Sequence, residues 1–191
     1  RRLKPFYVTT PIYYVNDLPH IGHAYTTVVA DVIARYRRMT GCRVYFLTGT
    51  DEHGQKIERA ALKQGILPRQ LADRVVARYH DLWKRLSITH DDFIRTTDAR
   101  HGRGVARIFE RILERNPDDI YLDAYEGMYC TGCEAFFPES QIQDGKCPEF
   151  GHPVEKVREE SYFFRLSKYQ EPLLKLYAES PSFVRPEFRL N

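Results

Sequence analysis

Four cysteines in 191 residues are too few to staple a secreted scaffold of this size. No apolar run approaches the roughly 18 residues that a membrane helix needs, so no bilayer span is expected. The opening Arg1-Arg2-Leu3-Lys4-Pro5 has no apolar segment of the kind a secretory signal carries. Neither charge dominates: 29 Lys and Arg against 26 Asp and Glu leave +3, which permits a nucleic-acid partner without requiring one. There is no Walker loop, no Gly-x-Gly-x-x-Gly and no Gly-x-Ser-x-Gly, which argues against a P-loop enzyme, a dinucleotide site and a hydrolase elbow. What is present is an ordinary globular balance, 42% hydrophobic and 29% charged, long enough to bury its own core. Three of the four cysteines cluster, which points to metal ligation in a reducing, cytoplasmic compartment.

Hydrophobic period sets the elements. Phe6–Thr10 is a β-branched and aromatic run closed by Pro11, and predicts a buried strand. After a loop with Asn16, Asp17 and Pro19, apolar residues at Tyr25, Val28, Val29, Val32, Ile33, Tyr36 and Met39 trace one helix face, ended by Gly41. A second strand follows at 43–48 and a short helix with Ile57, Ala60 and Ala61. Pro68 opens a longer helix with Leu71, Val75, Val76, Tyr79, Leu82, Trp83 and Leu86 on its apolar face. A strand near Phe93–Thr96 and a helix carrying Val105, Ile108, Phe109, Ile112 and Leu113 complete the pattern. Strand–helix alternation predicts a doubly wound parallel α/β sheet. Past Asn116-Pro117 the character changes to short aromatic segments, turns and the cysteine cluster, a small β-rich insert, before a return helix near 169–179. The expected divisions are 1–117, 118–166 and 167–191.

Three constellations could carry chemistry. Pro19-His20-Ile21-Gly22-His23 lies between the first strand and the first helix, where free backbone N–H groups and the helix dipole favour an anion. Gly22 removes a side chain where a phosphate or base approaches the backbone. His20 and His23, three apart, can face one bound group and donate to charge that grows in phosphoryl transfer. The plainer reading is a capped helix with two surface histidines. Gly49-Thr50-Asp51-Glu52-His53-Gly54 ends the second strand, on the edge where open α/β sheets bind ligands. There Asp51 or Glu52 could hold an ammonium and His53 could contact a nucleotide, or the acids could simply cap a helix. Cys130-x2-Cys133, then thirteen residues, Cys147, and His152 five further on have the spacing of a zinc knuckle, against the alternative of three buried free thiols.

These stretches resemble the bacterial methionyl-tRNA synthetases, a class I synthetase family. The likeness is carried by Phe6–Asn16 with His20-Ile21-Gly22-His23-Ala24-Tyr25, by Phe46–Gly54, by Asp92–Thr96 and by Tyr162–Leu166. It implies a Rossmann-like catalytic fold and formation of methionyl-adenylate from methionine and ATP with Mg2+, followed by transfer to tRNA(Met). His20 and His23 then resemble the catalytic, ATP-holding histidines, and Gly22 the glycine under the adenine. Asp51 resembles the carboxylate for the methionine ammonium, and Ile12 and Tyr14 part of the thioether pocket. The insert resembles the connective peptide, with Zn2+ on Cys130, Cys133 and Cys147. The resemblance puts a fourth ligand three residues after Cys147, where this chain has Phe150, and His152 is the nearest substitute. The Lys-Met-Ser-Lys-Ser signature is missing, so the chain is expected to be the N-terminal part of an enzyme and inactive alone. The competing expectation is a non-catalytic ATP- or RNA-binding zinc module built on the same fold.

Overall fold

The computed structural model describes residues 3–189. The chain separates into two compact units, the first ending at Gly104 and the second beginning at Val105.

In the first unit, β1 (Lys4–Thr9), β2 (Tyr13–Tyr14), β3 (Cys42–Asp51) and β4 (Asp92–Arg95) form one sheet. Every pairing is parallel and every one is made on β3. β1 lies along the first half of β3, from Lys4↔Cys42 to Thr9↔Leu47, and β2 pairs further on, Tyr13↔Thr50 and Tyr14↔Asp51. β4 pairs from Leu47↔Asp92 to Thr50↔Arg95. The parallel connections need crossovers. α1 (Ile21–Met39) makes the first, and α2 (Gln55–Lys63) with α3 (Pro68–Arg85) the second. Pro68 sits in the first turn of α3, where a missing N–H costs nothing.

The main core lies between β2, α2 and α3. Val15, Ile57, Ala61, Tyr79 and Trp83 are all essentially inaccessible there. The apolar face read for α3 is buried or half-buried as its period requires, except that Leu86, just past the helix end, is exposed.

α1 forms where expected, but its packing face is not the apolar stripe. Thr27, Ala30, Asp31 and Ala34 are the buried positions, and Ala30 and Ala34 pack on Phe46 of β3. Small side chains let the helix sit close against the strands. Tyr25, Val28, Val29, Val32, Ile33, Tyr36 and Met39 lie exposed. The period reported a real apolar face, yet the face that meets the sheet is the one with least apolar bulk. α4 (Ala99–Arg115) repeats the pattern: it is helical, and no residue of it is fully buried among the described residues.

The second unit is built on a long antiparallel pair. β5 (Ile120–Cys130) runs from Ile120↔Phe164 to Tyr129↔Glu155 against β7 (Glu155–Phe164), and β6 (Ala135–Phe137) pairs on the end of β5. Its small core is Cys130, Phe137 and Cys147, with Ile142 and Val154 against them. Asp119, buried at the start of β5, takes Lys168 Nζ at 2.6 Å and the Tyr169 hydroxyl, tying β5 to the turn before α5 (Gln170–Glu179).

One buried acid holds α1 to the segment that precedes β4. Asp31 accepts from Thr89 N at 2.7 Å, Thr89 Oγ1 at 2.6 Å and Arg35 Nε at 2.6 Å. Burial opposes its charge, but the bonds from Thr89 and Arg35 outweigh it and hold the carboxyl below its usual range. The unfolded chain regains the ordinary value, so this contribution is complete above about pH 4 and is lost as pH falls through the lower folded value. Asp31→Ala is expected to cost about 2 kcal/mol in urea unfolding at neutral pH. It should also flatten the acid-side decline in stability; an undiminished decline would contradict the assignment.

Candidate functional site

α1 begins directly after the loop that leaves β2, and its first turn is closed by two histidines. His20 is the N-cap, with extended backbone angles of φ −124° and ψ 176°. Its Nδ1 accepts from Gly22 N at 3.1 Å, while His23 Nδ1 accepts from His20 N at 3.1 Å. The two rings lie 3.8 Å apart between centroids. With both Nδ1 atoms taken up as acceptors, each neutral ring carries its proton on Nε2. The loop therefore carries two Nε2–H donors beside the backbone N–H groups of the helix start, that of His23 lying 3.5 Å from the Tyr79 hydroxyl. Gly22 serves this arrangement: a Cβ there would meet His20 Cε1 at 2.9 Å.

His23 is set between two tyrosines. Tyr13 packs edge-on at 4.8 Å between centroids, and Tyr79 at 5.5 Å. The Tyr79 hydroxyl, fixed on α3, lies 3.3 Å from His23 Nδ1 and 3.4 Å from the carbonyl oxygen of Tyr14. Tyr13 and Tyr79 stack on each other, and the Tyr13 hydroxyl bonds Thr27 Oγ1 at 2.8 Å. Burial, then the neighbouring charge on His20, pushes the His23 pKa below its ordinary 6.5. Burial also raises that of Tyr79, so its hydroxyl stays protonated.

Ile12, Tyr14, His20 and His23 all line one cavity of about 380 Å³, shared with Tyr13 and Leu18. Asp51 does not line it. It stands next to it, paired in register with Tyr14. The two acids of that loop have different fates. Glu52 is fully buried and already bonded by Thr50 Oγ1 at 2.8 Å, by Arg95 Nε at 2.6 Å and by the Thr97 hydroxyl. Asp51 is half-buried, with one long contact from Thr96 Oγ1 at 3.5 Å. Of the two, only Asp51 keeps a carboxylate available to a ligand. His53 rests on the Thr96 carbonyl oxygen at 3.3 Å. Sequence reading missed Tyr79 and Arg95. Tyr79 carries only the signal of a core helix position, and Arg95 lies within the Asp92–Thr96 stretch that carries the family likeness, where nothing in the pattern assigns it a role.

In the second unit the four knuckle residues converge. Donor atoms of Cys130, Cys133, Cys147 and His152 all lie within 4.8 Å of one another, and among the described residues no other group of three or more His, Cys, Asp or Glu does so. Cys133 Sγ is 3.5 Å from Cys147 Sγ and 3.8 Å from His152 Nδ1. The second turn closes through Gly151, at φ +67°, with Gly151 N bonded to Cys147 O at 3.1 Å and Cys147 N to His152 O at 2.8 Å. That turn carries His152 inward over Gly132, where a Cβ would meet His152 Nδ1 at 2.1 Å. Phe150 is exposed. Burial opposes charge on Cys147, but backbone N–H groups of Phe150 and His152 and the nearby thiols outweigh it and draw its pKa to about 6. Three sulfurs and one imidazole are a donor set that suits tetrahedral zinc.

The histidine pair yields a direct test. By NMR titration His23 should protonate below 6.5, and His20→Asn should move its midpoint upward by removing one of the two depressing influences. A midpoint at or above the ordinary value in the parent would contradict the geometry.

Known proteins fit this picture. The sequence profile of tRNA synthetases class I (M) matches residues 6–157. The methionine–tRNA ligase of Caldanaerobacter subterraneus is 57% identical over 188 residues, covering 98% of this chain and 29% of that protein. The Bacillus subtilis methionine–tRNA ligase is 50% identical over 197 residues, 97% of this chain and 29% of its own length. Among solved structures, Mycobacterium tuberculosis methionyl-tRNA synthetase in complex with methionyl-adenylate aligns with a TM-score of 0.89 at 44% identity, over 99% of this chain and 38% of that one. The chain thus spans under a third of the length of these ligases. With its parallel α/β sheet and its paired strand-end loops, it belongs to the family of tRNA synthetases class I (M).

Proposed function

We propose that this chain is the N-terminal part of a methionine–tRNA ligase. The observation that supports the reading is that Asp51 pairs in register with Tyr14, which lines one cavity together with Ile12, His20 and His23. In this reading the methionine carboxylate attacks the α-phosphorus of ATP, supplied with Mg2+, and pyrophosphate leaves. His20 and His23 donate from Nε2 to the phosphate oxygens as charge builds there. Gly22 leaves the backbone open beneath the adenine. Asp51 holds the ammonium, while Ile12 and Tyr14 contribute to a pocket selecting a soft, unbranched side chain by shape. A hydroxyl of tRNA(Met) then takes the methionyl group and releases AMP. Among the described residues no helix is long and apolar enough to cross a membrane. A cytoplasmic location goes with the ligase reading itself. Residues 118–166 serve as the connective peptide between 1–117 and the return segment 167–191.

Methionine-dependent ATP–pyrophosphate exchange tests the reading. This chain alone should show none, and a protein extended to the full length of its relatives should exchange. In that protein His20→Ala and His23→Ala should each lower kcat by about 10²–10³ while the KM for ATP changes little. Asp51→Ala should chiefly raise the KM for methionine. Absence of exchange in the full-length protein would favour the non-catalytic zinc module.

For the metal, Zn2+ on Cys130, Cys133, Cys147 and His152 would fix the turns of a unit with a very small core. One zinc per chain is expected on elemental analysis. Gly132→Ala contains no ligand change, yet it should weaken zinc by about 10- to 100-fold, as should His152→Ala, because the new methyl takes the place of the imidazole. Unchanged zinc affinity in both variants would remove His152 from the ligand set.

A further inference from the structure

We propose that Glu52 and Arg95 are positioning residues that aim Asp51 at the amino group of the substrate. The inference rests on the reading of Asp51 as the ammonium site and adds the device that sets it.

The side chain of Glu52 is 0% exposed, and that of Arg95 17%. A buried ion pair of this kind is weak evidence for stability, since apolar residues of equal volume often serve as well. Its geometry, however, is fixed from three directions. Glu52 Oε1 receives Thr50 Oγ1 at 2.8 Å and Arg95 Nε at 2.6 Å, and Oε2 receives the Thr97 hydroxyl. Arg95 in turn gives Nη2 to Asp73 of α3 at 2.6 Å, so the pair is anchored on a helix of the main core. The backbone around it is held as well. Glu52 N donates to Thr96 Oγ1 at 2.8 Å, and Thr96 N to Thr50 O at 3.1 Å.

Asp51 sits between these fixed residues and has only the 3.5 Å contact from Thr96 Oγ1. Its direction is therefore set by its neighbours and not by bonds of its own. Compensation of charge is the second effect. Arg95 neutralises Glu52, so the negative charge offered to a ligand at this strand end belongs to Asp51. A free second carboxylate one residue away would draw an ammonium off its position.

The test measures equilibrium binding of methionine and of 4-(methylsulfanyl)butanoate, which lacks the amino group, to the full-length protein. Kinetic KM values are read beside them. Glu52→Gln should weaken methionine by about 10- to 100-fold, the scale of a misplaced polar group. It should leave the amino-free analogue and the KM for ATP within about threefold, a split that general loss of structure would not produce. Arg95→Lys keeps the charge and loses the Nε contact; it should move the same way and serves as the test if Glu52→Gln does not fold. Asp51→Asn separates the two layers. If it leaves methionine binding intact, the ammonium assignment falls and the inference with it. If Asp51→Asn weakens methionine but Glu52→Gln and Arg95→Lys do not, or weaken both ligands equally, the positioning role alone is overturned.

Discussion

The candidate active site depends on a parallel pairing at the carboxyl end of β3. Tyr13 and Tyr14 pair there with Thr50 and Asp51, and Arg95 arrives on β4 opposite Thr50. Parallel strands end together at one edge, so loops well apart in sequence come to the same edge without any contact designed for the purpose. The histidine loop leaves one strand and the Asp51 loop leaves its neighbour. Everything else in the first unit supports that edge: α1 carries the histidines and packs on β3 through small residues, and α3 brings Tyr79 to His23 and Asp73 to Arg95.

Much of this edge is legible in the sequence because its signals are local. The histidine spacing, the glycine between them and the acid loop between two glycines are all contiguous. The strand–helix alternation follows from period alone. What is not legible is whatever depends on which face of an element finds a partner. The stripe from Tyr25 to Met39 predicts a helix correctly and its packing face wrongly, since Ala30 and Ala34 approach the sheet where the larger residues could not. Residue pattern alone does not separate Asp51 from Glu52, although the family resemblance picks Asp51. Adjacent carboxylates look alike on paper, and only Arg95 at the end of β4 and Thr97 just beyond it show that Glu52 is committed to the interior.

The second unit illustrates the same division. Cys130, Cys133 and Cys147 announce themselves by spacing, and the aromatic segments and turns predict a β-rich insert, but not that β5 and β7 pair over their whole length. His152 is different: its place among the sulfurs depends on the left-handed backbone at Gly151 and on the missing side chain at Gly132. A ligand set that departs from the familiar register is thus made workable by two glycines, each for its own steric reason.

One measurement addresses the shared strand edge most directly: a crystal structure of the full-length protein with a non-hydrolysable methionyl-adenylate analogue. The expected structure has the ligand ammonium bonded to the Asp51 carboxylate, the phosphate mimic facing Nε2 of His20 and His23, and the thioether against Ile12 and Tyr14. A ligand bound with its amino group away from Asp51, or with its phosphate mimic away from both histidines, would contradict the single site described at the end of β3.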